Sequence, residues 1–228
     1  AKFAQTAGFD KTEFAGHAFF LEAKFAGLAW FSEAKFTGPV GFGEAKFAGT
    51  AMFSDAEFAE TAGFGEAKFA QTAWFNQTEF AGPAWFNEAE FSGSAEFIEA
   101  KFAESAGFDE AKFAGPAKFS RAKFAGRAEF GEAKFAGPAW FNEAEFAWSV
   151  GFSEAEFAES VEFELVRVRV DIDRAVSRSW PVGWVLSAEP PVTYPHTNGD
   201  WTQLVRTASD SEDGPSPSTS KTNPSIRE

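Results

Sequence analysis

The sequence predicts an all-β solenoid, a rod of very short stacked strands closed by a small C-terminal β cap. Three observations predict it. Of 31 Phe residues, all but Phe19 fall on one register that runs Phe3, Phe9, Phe14, Phe20, Phe25 and on to Phe152, Phe157 and Phe163, with spacings alternating six and five. Each of these Phe follows Ala, Val or Thr by two residues, and the connectors between units collect Gly, Pro, Asn, Ser and Asp. Such strict self-similarity is the mark of a repeat architecture, in which one unit cannot bury its own apolar side chain and stacked units can.

A helix fails on geometry. Steps of five and six residues rotate about 140° and 240° at about 100° per residue, so the Phe would not share a face. Gly or Pro also recurs in nearly every unit, as at Ala81-Gly82-Pro83-Ala84, where a helix interior does not tolerate it. In a strand, Ala-x-Phe points Ala and Phe to one side and x to the other. The Phe columns, among them Phe3, Phe14, Phe25, Phe36, Phe47, Phe58, Phe69, Phe80, Phe91 and Phe102, are therefore the expected structural core. The turn-forming connectors make the corners.

The units Ala-[Lys/Glu]-Phe-Ala-Gly and Ala-[Trp/Gly/Glu]-Phe-[Asn/Ser/Gly]-Glu resemble pentapeptide repeats, whose central residue is Leu or Phe and whose residue two earlier is small. The resemblance covers 1–163. It implies a right-handed quadrilateral β-helix with one pentapeptide per face. The chain departs from the family pattern by one added residue in every second unit, a slot filled by Pro39, Pro83, Pro116 and Pro138. The all-Phe version with alternating spacing is similar to a bacterial subfamily of these proteins.

The coil has either four sides and about 22 residues, as the family implies, or two sides and 11. Residues before the first Phe of each pair favour four. At a period of 22 one column is mostly Lys (Lys2, Lys24, Lys46, Lys68, Glu90, Lys112, Lys134, Glu156), and the interleaved column is mostly Glu (Glu13, Lys35, Glu57, Glu79, Lys101, Lys123, Glu145). At a strand spacing of about 4.8 Å, four sides give a rod roughly 35 Å long and two sides roughly 70 Å.

After Phe163 the repeat stops. Residues 166–173 alternate strictly and read as a longer strand with Val166, Val168, Val170 and Ile172 inward. Residues 180–186 and 201–206 read as two more strands, separated by a Pro-rich turn at 190–195. The domain plan is thus a solenoid over 1–163, a β cap over 164–207 and a disordered tail over 208–228, where Ser, Pro, Asp and Thr leave little to bury. The subfamily resemblance also suggests a Trp-Pro-x-Gly-Trp segment just after the repeats, here Trp180 to Trp184.

Composition bounds the function. The net charge is −14 with 34 acidic and 20 basic residues, which disfavours direct nucleic-acid or anionic-membrane binding. There is no Cys, hence no disulfide, thiolate metal site or thiol nucleophile. No run of about 18 apolar residues is present, so no membrane span is expected within the chain. The chain starts at Ala1 in mid-repeat without Met, which reads as a fragment or processed product. A cytoplasmic location is expected, with an upstream anchor or further domain left open.

Three surface features are candidates. The corner positions 11 to 154 are acidic in eleven of fourteen cases, including Glu22, Glu33, Glu44, Asp55, Glu66, Glu88 and Glu99. The plainer reading is a solvated corner relieved by nearby Lys. The acidic balance of 1–163, with 25 acidic and 13 basic residues, also matches the acidic pentapeptide-repeat rods that mimic DNA and bind DNA gyrase. Against that, Lys is interleaved almost everywhere. The third feature is a set of outward aromatics, Phe19, Trp30, Trp74, Trp85 and Trp140, with Met52, which reads either as a binding surface or as scattered cover over corner Ala and Gly. His17 and His196 have no obvious catalytic partner, and no phosphate loop, metal-ligand spacing or nucleophile elbow is visible. The expectation is a non-enzymatic scaffold or protein-binding rod with no cofactor and another protein as partner. The alternative is an acidic DNA mimic that binds a type II topoisomerase. Oligomeric state is left open, a dimer included.

Overall fold

A computed structural model describes residues 1–172, 176–194 and 198–207. Those residues contain no helix. The repeat forms thirty two-residue strands, from β1 (Lys2–Phe3) to β30 (Val161–Glu162). They stack into four parallel sheets, one per side of the rod. Lys2 pairs with Lys24 and Phe3 with Phe25, and this register of 22 holds through Lys134↔Glu156. The coil therefore has four sides and about 22 residues. Faces 1 to 4 are named here from their first strands, Lys2–Phe3, Ala7–Gly8, Glu13–Phe14 and Ala18–Phe19.

The Phe point inward, and each stacks on the Phe one coil away. Phe25 and Phe47 lie 4.8 Å apart with ring planes at 1°, and Phe47 repeats this on Phe69. Columns from the opposite faces 2 and 4 meet edge to face across the core, as in Phe31–Phe42 at 5.3 Å and 82°. Both geometries are favoured by the ring quadrupole when the stack is offset. The Phe between Phe25 and Phe152 on the register are all buried. Phe3, Phe9, Phe14 and Phe20 belong to the first coil and are only partly buried, because among the described residues their rings are covered from one side. Thr78 takes an Ala slot. It is fully buried and satisfies its hydroxyl by donating to Phe53 O at 2.8 Å.

The two kinds of corner differ in mechanism. After faces 2 and 4 the chain makes a hydrogen-bonded β-turn, as where Ala23 N–H donates to Phe20 O at 3.0 Å. The third turn residue is left-handed. This recurs at fifteen non-glycine residues from Lys11 to Leu165 with φ of 53–59°. Each costs roughly 1 kcal/mol relative to an ordinary conformation. The ladder offsets it: Glu22 N–H, for example, bonds Gly43 O of the next coil at 2.9 Å. After faces 1 and 3 the corner is a bend. The glycines there, read from the sequence as turn formers, serve close approach instead. A Cβ on Gly49 would lie 2.5 Å from Gly27 O, and one on Gly115 would lie 2.6 Å from Gly93 O.

The cap closes the C-terminal end. β31 (Arg167–Arg169) continues face 3 by pairing with Glu145 and Phe146, and β32 (Arg178–Ser179) continues face 4. β34 (Trp201–Arg206) pairs antiparallel with β31, and β33 (Trp184–Leu186) pairs antiparallel with β34 at the edge. Val166, Val168 and Leu204 are buried over the last coil, and Trp180 and Trp184 pack edgewise on Phe146 and Phe163. The strand expected over 166–173 is shorter than its alternation suggested. Only 167–169 pair, and Val170 and Ile172 are half-buried. The antiparallel partner β34 begins at Trp201, opposite Arg169, and beyond it only the Val170 N–H bond to Asp200 O at 2.8 Å continues the contact. Asp173, His196 and the tail expected over 208–228 lie outside the described residues.

Candidate functional site

With the inward positions committed to Phe and Ala, chemistry falls to the outward columns. Faces 1 and 3 are charged. On face 3 opposite charges in register form ladders: Lys35 bonds Glu57 at 2.8 Å, Lys101 bonds Glu79 at 2.5 Å, and Arg167 bonds Glu145. On face 1 Glu90 receives Lys68 at 2.9 Å from one coil and lies 3.4 Å from Lys112 on the other side. The Lys68 hydrogen bond lowers the Glu90 pKa, slight burial opposes it, and Lys112 lowers it further. The hydrogen bond and charge of Glu57 raise the Lys35 pKa. The Lys pairs are exposed and contribute little to stability, whereas Arg167–Glu145 is part-buried, and together they cancel charge along both faces.

The acidic corner ladder divides into two columns. The corner between faces 4 and 1 is all Glu, namely Glu22, Glu44, Glu66, Glu88, Glu110, Glu132 and Glu154, and none of these is ion-paired among the described residues. The corner between faces 2 and 3 is mixed: Lys11 pairs with Glu33 at 3.5 Å and Arg121 with Glu99 at 2.9 Å. A flat surface of one sign does not arise, because the all-Glu corner adjoins the Lys column of face 1.

The outward aromatics do not form one stripe. Trp30, Trp74 and Trp140 stand on face 2, whereas Phe19 and Trp85 stand on the opposite face 4. The reason is the 22-residue coil, which places units eleven residues apart on opposite sides. On face 4 the aromatics lie down over glycine of the next coil. A Cβ on Gly41 would meet Phe19 Cδ1 at 3.1 Å, and one on Gly107 would meet Trp85 Cε3 at 2.8 Å. On face 2 the register brings Trp30, Met52 and Trp74 together on three successive coils. Leu28, Thr50 and Thr72 flank them, and residues 28–32, 50–54 and 72–76 carry no charge. Trp30 is exposed and Met52 and Trp74 are half-buried. The patch ends where Glu96 follows Trp74. Burial is the largest influence on Glu96 and raises its pKa, but hydrogen bonds from Lys118, Asn76 and Ser94 bring it below the ordinary value. Trp140 lies further along the face, beyond Lys118.

Trp148 is an exposed aromatic that the outward-x pattern misses, at 44% exposure. It occupies the middle of a bend, where the other repeats have Gly, Gln or Glu. A column-by-column reading of the bend residues reveals it. His17 is exposed beside Phe19, with ring centroids 5.7 Å apart. Among the described residues no group of three or more His, Asp or Glu is placed to hold a metal ion, and no helix is long and apolar enough to cross a membrane.

Stacked four-sided coils of this kind define a quadrilateral β-solenoid. A family model described as pentapeptide repeats matches in nine copies, with matches at 20–68, 53–101, 75–123 and 97–145. These cover more than half of the chain, and the chain belongs to the pentapeptide-repeat family. No curated protein and no solved structure matches it.

Proposed function

We propose that the rod is a non-enzymatic scaffold that binds another protein through face 2, at the uncharged patch centred on Trp30, Met52 and Trp74. The observation that carries this reading is the register that stacks these three side chains on successive coils, in a stretch where the face and the bend leading into it lack charge. Exposed aromatics and Met grouped in an uncharged patch are the usual chemistry of a protein interface core. The coils beneath are fixed by ladder bonds and stacked Phe, so the patch is presented rigidly and binding costs little ordering entropy. The acidic-mimic alternative has less support. It needs a continuous negative face, and faces 1 and 3 are charge-paired while face 2 is uncharged over three coils.

A photo-cross-linking residue tests the patch. Placed at Met52 and irradiated in the native cells, it is expected to give a discrete protein adduct. The same probe at Gly63 on face 4 gives none, and Trp30→Ser combined with Trp74→Ser removes the Met52 adduct without changing thermal stability. Equal labelling from both sites, or no discrete adduct at Met52, contradicts the proposal.

A further inference from the structure

A second surface feature stands on the opposite side of the rod. At the C-terminal end of face 4 an open groove of about 600 Å³ runs over the last coils and stops against the cap segment at Val176 and Ser177. That volume is in the range of small-molecule sites. One wall is the bend that carries Arg127 and, one coil on, Trp148. The other is the corner that carries Asp109. The floor is the outward column Glu129, Gly151 and Ser179.

We propose that this groove binds a neutral sugar unit, with the apolar C–H face of the ring against Trp148 and its hydroxyls bonded to Asp109, Glu129 and Arg127. The room is made by a missing side chain that the fold does not require. A Cβ on Gly151 would find only Ser179 Oγ, at 3.8 Å. The same column carries Phe19, Trp85 and Glu129 on other coils, so a side chain at 151 is compatible with the coil. Trp148 stands exposed at a bend position that elsewhere on the same corner holds Gly or Glu, so the indole is not demanded by packing either.

The polar groups suit hydroxyls. Arg127 Nη2 and Glu129 Oε1 are 2.5 Å apart, which fixes a planar donor beside a planar acceptor. Asp109 accepts the Gly131 N–H through Oδ1 at 2.8 Å, which orients its second oxygen. Planar paired donors and acceptors beside an aromatic face match the alternating O–H and C–H surfaces of a sugar ring. Other ligands fit worse. An anion meets two carboxylates and one guanidinium already neutralised by Glu129. An extended peptide finds no open strand edge, since the floor ladder is in use: Phe130 N–H bonds Gly151 O at 2.7 Å, and Phe152 N–H bonds Ser179 O at 3.1 Å. An apolar ligand finds little beyond Trp148 and Val176.

The test uses the whole chain and a panel of methyl glucoside, methyl galactoside, methyl mannoside, N-acetylglucosamine and their disaccharides, read by saturation-transfer NMR and tryptophan fluorescence. At least one is expected to bind saturably at millimolar concentration. Trp148→Gln is expected to weaken that binding at least about tenfold, an amount in keeping with the loss of one aromatic stacking contact. Gly151→Trp, which fills the floor of the groove, is expected to abolish it, with circular dichroism and melting read alongside to show that the coil is intact. Trp30→Ser on face 2 leaves sugar binding intact, which separates this site from the protein-docking patch. Failure of every sugar to bind overturns the proposal, as does binding that survives both Trp148→Gln and Gly151→Trp.

Discussion

Phe86→Glu is expected to abolish the cooperative melting of the solenoid, whereas Trp85→Glu, one residue away, leaves it folded. Phe86 is fully buried. It stacks on Phe64 at 4.8 Å and on Phe108 at 4.9 Å, and it meets Phe75 and Phe97 edge-on at 5.2 Å. Removing such a ring costs about 3–5 kcal/mol. Burying a carboxylate among four phenyl rings costs several kcal/mol more, since nothing there can pair with it. In a solenoid each coil is stabilised mainly by its neighbours, so the loss spreads to the coils on both sides. Trp85 points the other way, into a column where Glu129 already stands. Far-UV circular dichroism and thermal melting of the two variants check this. Similar behaviour of the pair would contradict the inward and outward assignment.

Gly49→Ala is expected to destabilise the rod by about 1–3 kcal/mol, the usual cost of overpacking, and the sign reverses for Gly63→Ala. At Gly49 the new Cβ meets backbone of the preceding coil, 2.5 Å from Gly27 O and 2.6 Å from Gly27 C. Backbone held by ladder bonds cannot move aside as a flexible side chain does. At Gly63 the nearest atom is Val40 O at 3.8 Å, an ordinary contact. There the substitution mainly restricts the unfolded chain and is expected to stabilise by about 0.4–1 kcal/mol. Denaturant melts of both variants read the two signs directly.

These two cases mark what the residues disclose and what they hide. The six-and-five spacing makes the Phe register legible because one inward slot is filled in the same way thirty times. The Lys and Glu columns at a period of 22 point to four sides, since only a four-sided coil gives those columns different neighbours. The same period hid the arrangement of the outward aromatics. Read along the chain, Phe19, Trp30, Trp74, Trp85 and Trp140 look like one set, but eleven residues is half a coil and puts Trp74 and Trp85 on opposite sides. Corner chemistry was also masked. Left-handed φ is usually the province of Gly and Asn, yet here Glu takes it, and Gly sits where coils approach closely. Neither role can be assigned without knowing which backbone lies one coil away. In the cap, Val166 to Ile172 alternate as a full strand, but the strand ends at Arg169, opposite the first residue of its antiparallel partner, with one further bond from Val170 N–H to Asp200 O. Trp148 was invisible because it breaks a bend column rather than the outward-x column.

The four-sided coil underlies both proposed surfaces, since it alone gathers Trp30, Met52 and Trp74 on one face and sets the groove at Gly151 opposite. The chain has no native Cys, so Glu22→Cys with Glu154→Cys can be spin-labelled without background. Both positions lie on the same all-Glu corner, where Lys, Gln and Arg occupy the equivalent turn slot elsewhere. Six coil steps at about 4.8 Å predict a separation near about 29 Å by pulsed electron paramagnetic resonance, with a narrow distribution. A separation near about 58 Å, the value for twelve steps of a two-sided coil, would contradict the account, as would a broad distribution with no defined maximum.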